Sequence, residues 1–315
     1  MAFVSQSSGI ASSIFLALYS LYTIFAILVV SQVRKWRTIY TSLLVHGLLR
    51  VGGQLCGVAF AVVGWQHFQW LIAYLVLSAE GYFVLILASF HLIANAQQYV
   101  LGTSWIRPSK DEINQKVALA SNWKERWQAK RNPARIFHLL LIPANAFIIS
   151  GGSMLAGLTI EELNNGTGKV TTSKVLRTIG QAVFLFQSAI AIYFALRSFF
   201  IEGIRHYNIY AVFIVAPFLL VRGIFGVLSI YVDKMDYYLI SNYTEAGFSS
   251  SFVAYEYCMA TTMEFVTACV YICTYFLEKK KYRSGEQILS EESDKTNNEK
   301  NGTFSEEKTR EEVYL

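Results

Sequence analysis

Seven long apolar segments constrain the fold of this chain more than any other feature of its 315 residues. A run of about 20 apolar residues spans the hydrocarbon core of a bilayer as a helix, and longer runs cross with some tilt. Each segment here has 21 to 27 residues. They cover approximately residues 10–30, 39–63, 70–94, 136–158, 175–199, 209–231 and 251–277.

Lipid offers no hydrogen-bond partner to the peptide backbone, so a spanning segment must be a helix or a strand of a closed barrel. Barrel strands alternate apolar and polar residues, and stretches such as residues 14–30 show no alternation. The sequence therefore predicts an all-α, polytopic membrane protein with seven transmembrane helices.

The composition agrees with a membrane protein, since 54% of the residues are hydrophobic and only 16% are charged. A soluble domain usually carries about 25% charged residues. The net charge of +5 is spread between the apolar segments and forms no basic patch that would suit nucleic acid. These observations exclude a soluble enzyme, a nucleic-acid-binding protein and a disordered scaffold, and they make membrane lipids the expected partners.

Lysine and arginine residues predict the orientation, because cytosolic loops are enriched in them. With the N-terminus outside and the C-terminus cytosolic, 21 basic residues lie inside and 4 lie outside. We therefore predict a seven-helix bundle over residues 1–277 and a disordered, charged cytosolic tail over residues 278–315. The plasma membrane and the endomembranes both remain open as locations.

Two N-glycosylation sequons fall in loops that this topology places outside. They begin at Asn165 and Asn242, so both asparagines are predicted to carry a sugar. A third sequon, at Asn301, lies in the predicted cytosolic tail.

The cytosolic segment 95–135 contains a predicted amphipathic helix. Ser109 and Glu112 have the spacing of a capping box. Basic residues surround the apolar positions, which suits an anionic membrane surface. We expect one helix lying on the inner leaflet, with packing against the base of the bundle as the alternative. The apolar positions at helical spacing are Ile113, Val117, Ala120, Trp123 and Trp127.

Four ionisable residues lie near the middle of predicted spans: Arg50, Glu80, Arg222 and Glu264. Each would cost about 2.5–3.5 kcal/mol if it faced lipid alone. Two positive and two negative charges at similar depth predict buried pairing. Neighbours along the chain suggest the pairs Arg50–Glu80 and Arg222–Glu264, although other pairings remain open.

Further polar residues extend this feature. His46, Arg50 and Gln54 recur every four residues, so they share one face of their helix. Glu256 lies two helical turns from Glu264 and is expected on the same face. Two interpretations remain open: a polar intramembrane cavity that binds a ligand, or salt bridges that only fix the packing of the helices.

The sequence contains no complete catalytic or metal-binding motif, so we predict no enzyme activity, no metal site and no cofactor. His46, His91, His138 and His206 lie toward the predicted cytosolic side, which leaves a zinc hydrolase of the seven-helix ceramidase type open. The four cysteines lie within spans, so no extracellular disulfide is available. They are Cys56, Cys258, Cys269 and Cys273.

The stretches PFLLVRGIFGVLS (residues 217–229) and MATTMEF (residues 259–265) resemble a fungal family of uncharacterised seven-helix integral membrane proteins. More distantly, the chain is similar to the fungal lipid-translocating exporter family, which is linked to 7-aminocholesterol resistance. Arg222, Glu256 and Glu264 match the layout of that family's charged residues.

The resemblance implies binding or translocation of a lipid or amphiphile. A seven-helix receptor-like signalling protein and a structural membrane adaptor are the alternatives. The ligand, the direction of transport and the oligomeric state remain open.

Overall fold

A computed structural model describes residues 3, 5–33, 38–67, 69–130, 133–155, 168–244 and 247–280. Seven of its helices are long and apolar enough to cross a membrane, which confirms the predicted all-α architecture. The orientation of the termini stays a prediction. The helices are α1 Gln6–Gln32, α2 Ile39–Val63, α3 Gln69–Leu101, α4 Lys110–Leu119, α5 Trp123–Lys130, α6 Pro133–Leu155, α7 Gly168–Phe200, α8 Tyr207–Tyr231 and α9 Ser250–Lys280.

The chain divides into two compact units, Met1–Ile272 and Cys273–Leu315. The first contains α1 to α8 and the larger part of α9. The second is described only over its first eight residues, which form the last turns of α9. The predicted tail lies outside the described residues, apart from its first three residues, which are helical.

Helix α3 is the central element of the bundle. It packs against α2, α6, α7 and α8, and it joins two groups of consecutive neighbours, α1–α2–α3 and α6–α7–α8. Close packing at Gly57 illustrates how small residues allow this, because a Cβ there would lie 2.8 Å from Ser12 Oγ and 3.3 Å from the ring of Tyr74. Small residues are favoured where membrane helices approach closely.

Two helices extend seven residues beyond their predicted limits, at the end of α3 and at the start of α7. Buried polar bonds explain the first extension. Gln97 donates hydrogen bonds to Ser198 Oγ (3.0 Å) and Glu202 Oε2 (2.9 Å), and it accepts one from Ser104 Oγ (2.7 Å). A polar residue that is satisfied by the protein does not end a membrane helix, which an apolar-run criterion misses.

The prediction of a single amphipathic helix in segment 95–135 is wrong, because α4 ends at Leu119 and α5 begins at Trp123. The predicted start is correct, since Ser109 Oγ accepts the Glu112 N–H (3.2 Å). A second cap causes the break: the Glu125 carboxylate accepts hydrogen bonds from the backbone and hydroxyl of Ser121, both at 2.9 Å. These bonds also lower the pKa of Glu125.

Two large apolar side chains at the break between α4 and α5 are exposed on the surface of the protein. Leu119 is 85% exposed and Trp123 is 74% exposed. Neither packs into the base of the bundle, so the location of this segment at the inner leaflet stays a prediction.

The loop between α8 and α9 is a folded cap with two 3-10 turns and a two-stranded hairpin. The hairpin pairs Tyr243 with Phe248, and Phe248 stacks on Phe252 of α9, with ring centroids 4.8 Å apart. The 3-10 turns cover Asp233–Met235 and Ile240–Asn242, and the strands are β1 Tyr243–Thr244 and β2 Gly247–Phe248.

Asn242 holds this loop together. Its side-chain nitrogen donates to the backbone carbonyl groups of Asp233 and Asp236, the latter at 2.8 Å, and the residue is buried. The nitrogen that would carry a sugar is therefore occupied in the folded loop. Glycosylation of Asn242 stays a prediction, and Asn165 lies outside the described residues.

Candidate functional site

Three of the four mid-span charged side chains meet inside the bundle. Glu264 of α9 lies between Arg50 of α2 and Arg222 of α8. Its Oε1 is 2.5 Å from Arg222 Nε, and its Oε2 contacts Arg50 Nη2. All three residues are buried, with exposed fractions of 1% for Arg50, 6% for Arg222 and 1% for Glu264. We call this group the arginine–glutamate centre.

The predicted Arg222–Glu264 pair is confirmed, whereas the predicted Arg50–Glu80 pair is wrong. Glu80 instead accepts a hydrogen bond from Asn145 Nδ2 of α6 (2.5 Å). Successive residues of a helix point about 100° apart, so the side of α3 that meets the centre belongs to Gly81. A Cβ at Gly81 would lie 2.6 Å from Arg50 Nε and 2.8 Å from Glu264 Oε2. The glycine therefore makes room for the centre.

His46 and Gln54 flank Arg50 on the buried face of α2, as their spacing predicts, and neither is exposed. His46 Nδ1 lies 3.1 Å from the carbonyl oxygen of Gly81. Gln54 Oε1 accepts a hydrogen bond from Tyr257 Oη (3.1 Å). Within the described part of the chain, His46 Nε2 and Gln54 Nε2 have no hydrogen-bond partner. Two polar nitrogens thus remain available beside the arginine.

Two tyrosines also line the centre. The Arg50 guanidinium lies over the ring of Tyr19 (5.9 Å), and Arg222 lies over the ring of Tyr82 (4.9 Å). Their hydroxyls bind backbone carbonyls, Tyr19 that of Thr261 (3.2 Å) and Tyr82 that of Leu219 (3.1 Å). The chain has 19 tyrosines, and their spacing alone does not separate these two from the others.

Glu256 has different partners from Glu264. Its Oε1 accepts a hydrogen bond from Tyr74 Oη of α3 (3.1 Å), and its Oε2 accepts one from Tyr237 Oη. Tyr237 belongs to the loop between α8 and α9. Among the described residues, the ion pairs of Arg50 and Arg222 are with Glu264. Glu256 is thus a buried carboxyl group whose hydrogen bonds come from neutral hydroxyls.

A π-helical segment, Tyr257–Thr261, separates the two carboxyl groups. In a regular α-helix, residues eight positions apart are rotated by about 80°. A π-helical turn accommodates one extra residue, which reduces the rotation between Glu256 and Glu264 to about 20°. The widened turn therefore brings Glu256 and Glu264 closer to one face of α9 than a regular α-helix would. Such widened turns occur frequently at functional sites.

The remaining histidines and cysteines form no comparable group. The rings of His91 and His138 lie 5.9 Å apart. No three His, Cys, Asp or Glu residues among those that the structure describes come together in a way that could hold a metal ion. Cys56 is a buried free thiol, and Cys258 and Cys273 are exposed free thiols.

One protein family matches this chain. Its model is described as a domain of unknown function, DUF7702, and it matches residues 112–281. The matched region includes Arg222, Glu256 and Glu264, whereas Arg50 lies before it. No curated protein and no solved structure matches the chain. Because the match covers more than half of the 315 residues, the chain belongs to the DUF7702 family.

Proposed function

We propose that this protein binds the anionic headgroup of a lipid or amphiphile at the arginine–glutamate centre and moves it through the membrane. The observation that carries the proposal is the pair of guanidinium groups that share one carboxylate deep in the bundle. Charged residues within membrane helices typically mark the path of a substrate or ion.

Arg50 has N–H donors that could bind such a ligand. A guanidinium has five N–H donors in a planar fork that matches carboxylate and phosphate oxygens. Arg50 Nε and Nη1 have no hydrogen-bond partner among the described residues, although Arg50 is almost completely buried. A buried donor without a partner costs about 1–3 kcal/mol. An anionic oxygen at this position would recover that free energy.

Glu264 suits the role of an exchangeable partner. It pairs with both arginines between binding events, when an unpaired buried charge would be costly. A headgroup that approaches Arg50 and Arg222 would share them with Glu264. Glu80 belongs to a separate contact with Asn145, so we assign it no part in binding.

Reconstituted vesicles test the proposal. The purified full chain is inserted into liposomes that contain a fluorescent phosphatidylserine, and the movement of the label between leaflets is followed by chemical quenching. We expect movement faster than in protein-free vesicles. Arg222→Gln should slow it about tenfold or more, because a hydrogen bond to a charged group contributes about 1.5–3 kcal/mol.

Arg177→Gln is the matched control, since Arg177 is also a buried arginine of the bundle but pairs with Asp236 outside the centre. It should leave the rate unchanged. Arg222→Lys keeps the charge without the planar fork and should give an intermediate rate. Equal rates for the wild type and a folded Arg222→Gln protein would contradict the proposal, and would favour ion pairs that serve packing alone.

A further inference from the structure

Among the described residues, Glu256 is a buried carboxyl group that the arginine–glutamate centre does not use. We propose that Glu256 is a proton-binding site, and that its protonation strengthens the binding of an anion by Arg50 and Arg222. The coupling rests on the proposed function, whereas proton binding at Glu256 does not depend on it. The reaction is the addition of one proton to a carboxylate oxygen, which yields a neutral carboxylic acid.

The partners of the two carboxyl groups decide which one takes the proton. Protonation of Glu264 would weaken two buried ion pairs, those with Arg50 and Arg222. Glu256 receives its hydrogen bonds from the hydroxyls of Tyr74 and Tyr237. A tyrosine hydroxyl can donate or accept, so these partners fit both forms of Glu256. The proton can therefore bind there without breaking an ion pair.

The charged and titratable groups around Glu256 lie on α2, α3, α8, α9 and the α8–α9 loop. Arg50 of α2 and Arg222 of α8 attract its negative charge, and Glu264 of α9 repels it. Three tyrosines complete the surroundings: Tyr74 of α3, Tyr257 of α9 and Tyr237 of the loop. The charge of the Glu256 carboxyl group is therefore coupled directly to the charges of the arginine–glutamate centre.

A route for the proton follows from the position of Glu256 in α9. The residue lies in the second turn of the helix, close to the end that carries the α8–α9 loop. Tyr237 of this loop is only partly buried, and its hydroxyl reaches the Glu256 carboxylate. The loop therefore supplies a hydroxyl contact between the surface of the bundle and the buried carboxyl group.

Charge balance links the proton to the anion. With Glu256 ionised, two carboxylates balance the two arginines. With Glu256 neutral, one positive charge is left over. The π-helical segment turns Glu256 and Glu264 to the same side of α9, so the excess charge lies where the ligand would bind. Binding of the proton and binding of the anion should consequently strengthen each other.

Infrared difference spectroscopy tests the proton site directly. The full chain is placed in lipid nanodiscs, and spectra are recorded as the pH is lowered, in H2O and in D2O. We expect the C=O stretch of a buried protonated carboxyl group. It should disappear in Glu256→Gln and persist in Glu80→Gln, which removes another carboxyl group of the bundle that has a neutral partner. A spectrum of Glu256→Gln identical to that of the wild type would overturn the proposal.

Lipid binding tests the coupling. The affinity for a fluorescent phosphatidylserine is measured in nanodiscs of neutral lipid at several pH values. For the wild type and Glu80→Gln it should rise about 5- to 150-fold on acidification, the usual range of coupling between two sites. Glu256→Gln mimics the protonated form and should bind tightly at every pH.

The two measurements separate the two ideas. If Glu256→Gln keeps the pH dependence of the wild type, the coupling is wrong. If the infrared band is assigned to Glu256 but no lipid binds at any pH, the proposed function and the coupling both fail, while the proton site stands.

Discussion

Arginine meets a carboxylate at several places in the described part of the bundle, and two of these ion pairs are held in different ways. In the arginine–glutamate centre, Glu264 bridges α2 and α8 from α9, and its side chain has no exposed surface. At the rim, Arg177 of α7 meets Asp236 of the α8–α9 loop, with Nη1 and Oδ1 3.5 Å apart and 20% of the Asp236 side chain exposed. An arginine and a carboxylate are therefore paired once in a fully buried environment and once in a partly exposed one.

Burial decides the role of these ion pairs. Water can reach the rim pair, and Arg177 also stacks on the ring of Tyr238 at 4.3 Å, so the arginine has a second partner. The three charges of the centre lie on α2, α8 and α9 and are buried, so each charge depends on the other two. A buried ion pair adds little stability over apolar packing, but the loss of one partner is strongly destabilising.

Replacement of Glu264 should have the largest effect on this comparison. Glu264→Gln leaves two buried guanidinium groups without a counter-ion, and we expect a loss of about 3–5 kcal/mol in the free energy of unfolding. Thermal unfolding in detergent micelles measures the change. Asp236→Asn is the matched control at the rim, where a partly exposed ion pair contributes about 0–1 kcal/mol.

A second variant separates lost charge from lost packing. Adding Arg50→Gln to Glu264→Gln removes one of the stranded positive charges and should recover part of the lost stability. If Glu264→Gln unfolds at the same temperature as Asp236→Asn, the three charges of the centre do not depend on one another.

A glycine substitution should have the next largest effect. Gly81→Ala places a methyl group within 3 Å of Arg50 Nε and Glu264 Oε2. Overpacking of this kind costs about 1–3 kcal/mol. Gly53→Ala is the control, because the nearest atom to its Cβ would be 3.5 Å away, at ordinary contact distance. Thermal unfolding should show a lower midpoint for Gly81→Ala alone. A Gly81→Ala protein as stable as Gly53→Ala would mean that the centre has room to shift.

The sequence predicts the spans and the buried charges better than the pairing of those charges. Long apolar runs and the scarcity of charge within them identify all seven helices, and the cost of a lone charge in lipid places Arg50, Arg222 and Glu264 inside. The pairing depends on the rotation of each helix about its axis. One residue of register decides whether Glu80 or Gly81 meets α2, and no local pattern in α3 specifies it.

The π-helical segment Tyr257–Thr261 escaped prediction for a related reason. Its residues have no composition that distinguishes them from an α-helix, and the segment packs against α8. The end of α3 beyond residue 94 escaped prediction because Gln97 finds its polar partners only in the folded bundle. Tertiary contacts, and not local preference, set these features.

The ion pair of Arg177 and Asp236 should show the smallest effect, which is a change of stability with pH. Burial raises the pKa of Asp236 above its ordinary value, more than the Arg177 guanidinium and the Tyr238 N–H lower it. A raised pKa means that the folded protein disfavours the ionised form. The stability associated with the neutral carboxyl group is complete below the ordinary Asp value of about 3.9 and is lost as the pH rises through the raised pKa.

Asparagine does not titrate, so Asp236→Asn should become more stable relative to the wild type as the pH rises from about 4 to 7. Unfolding midpoints of the two proteins at matched pH measure this trend. Asp233→Asn, at an exposed aspartate of the same loop, controls for the loss of a surface charge. If the unfolding midpoint of the wild type instead rises relative to that of Asp236→Asn as the pH rises, the attraction of Arg177 outweighs the effect of burial. The rim pair would then favour the ionised carboxylate, and exposure would not distinguish it from the centre.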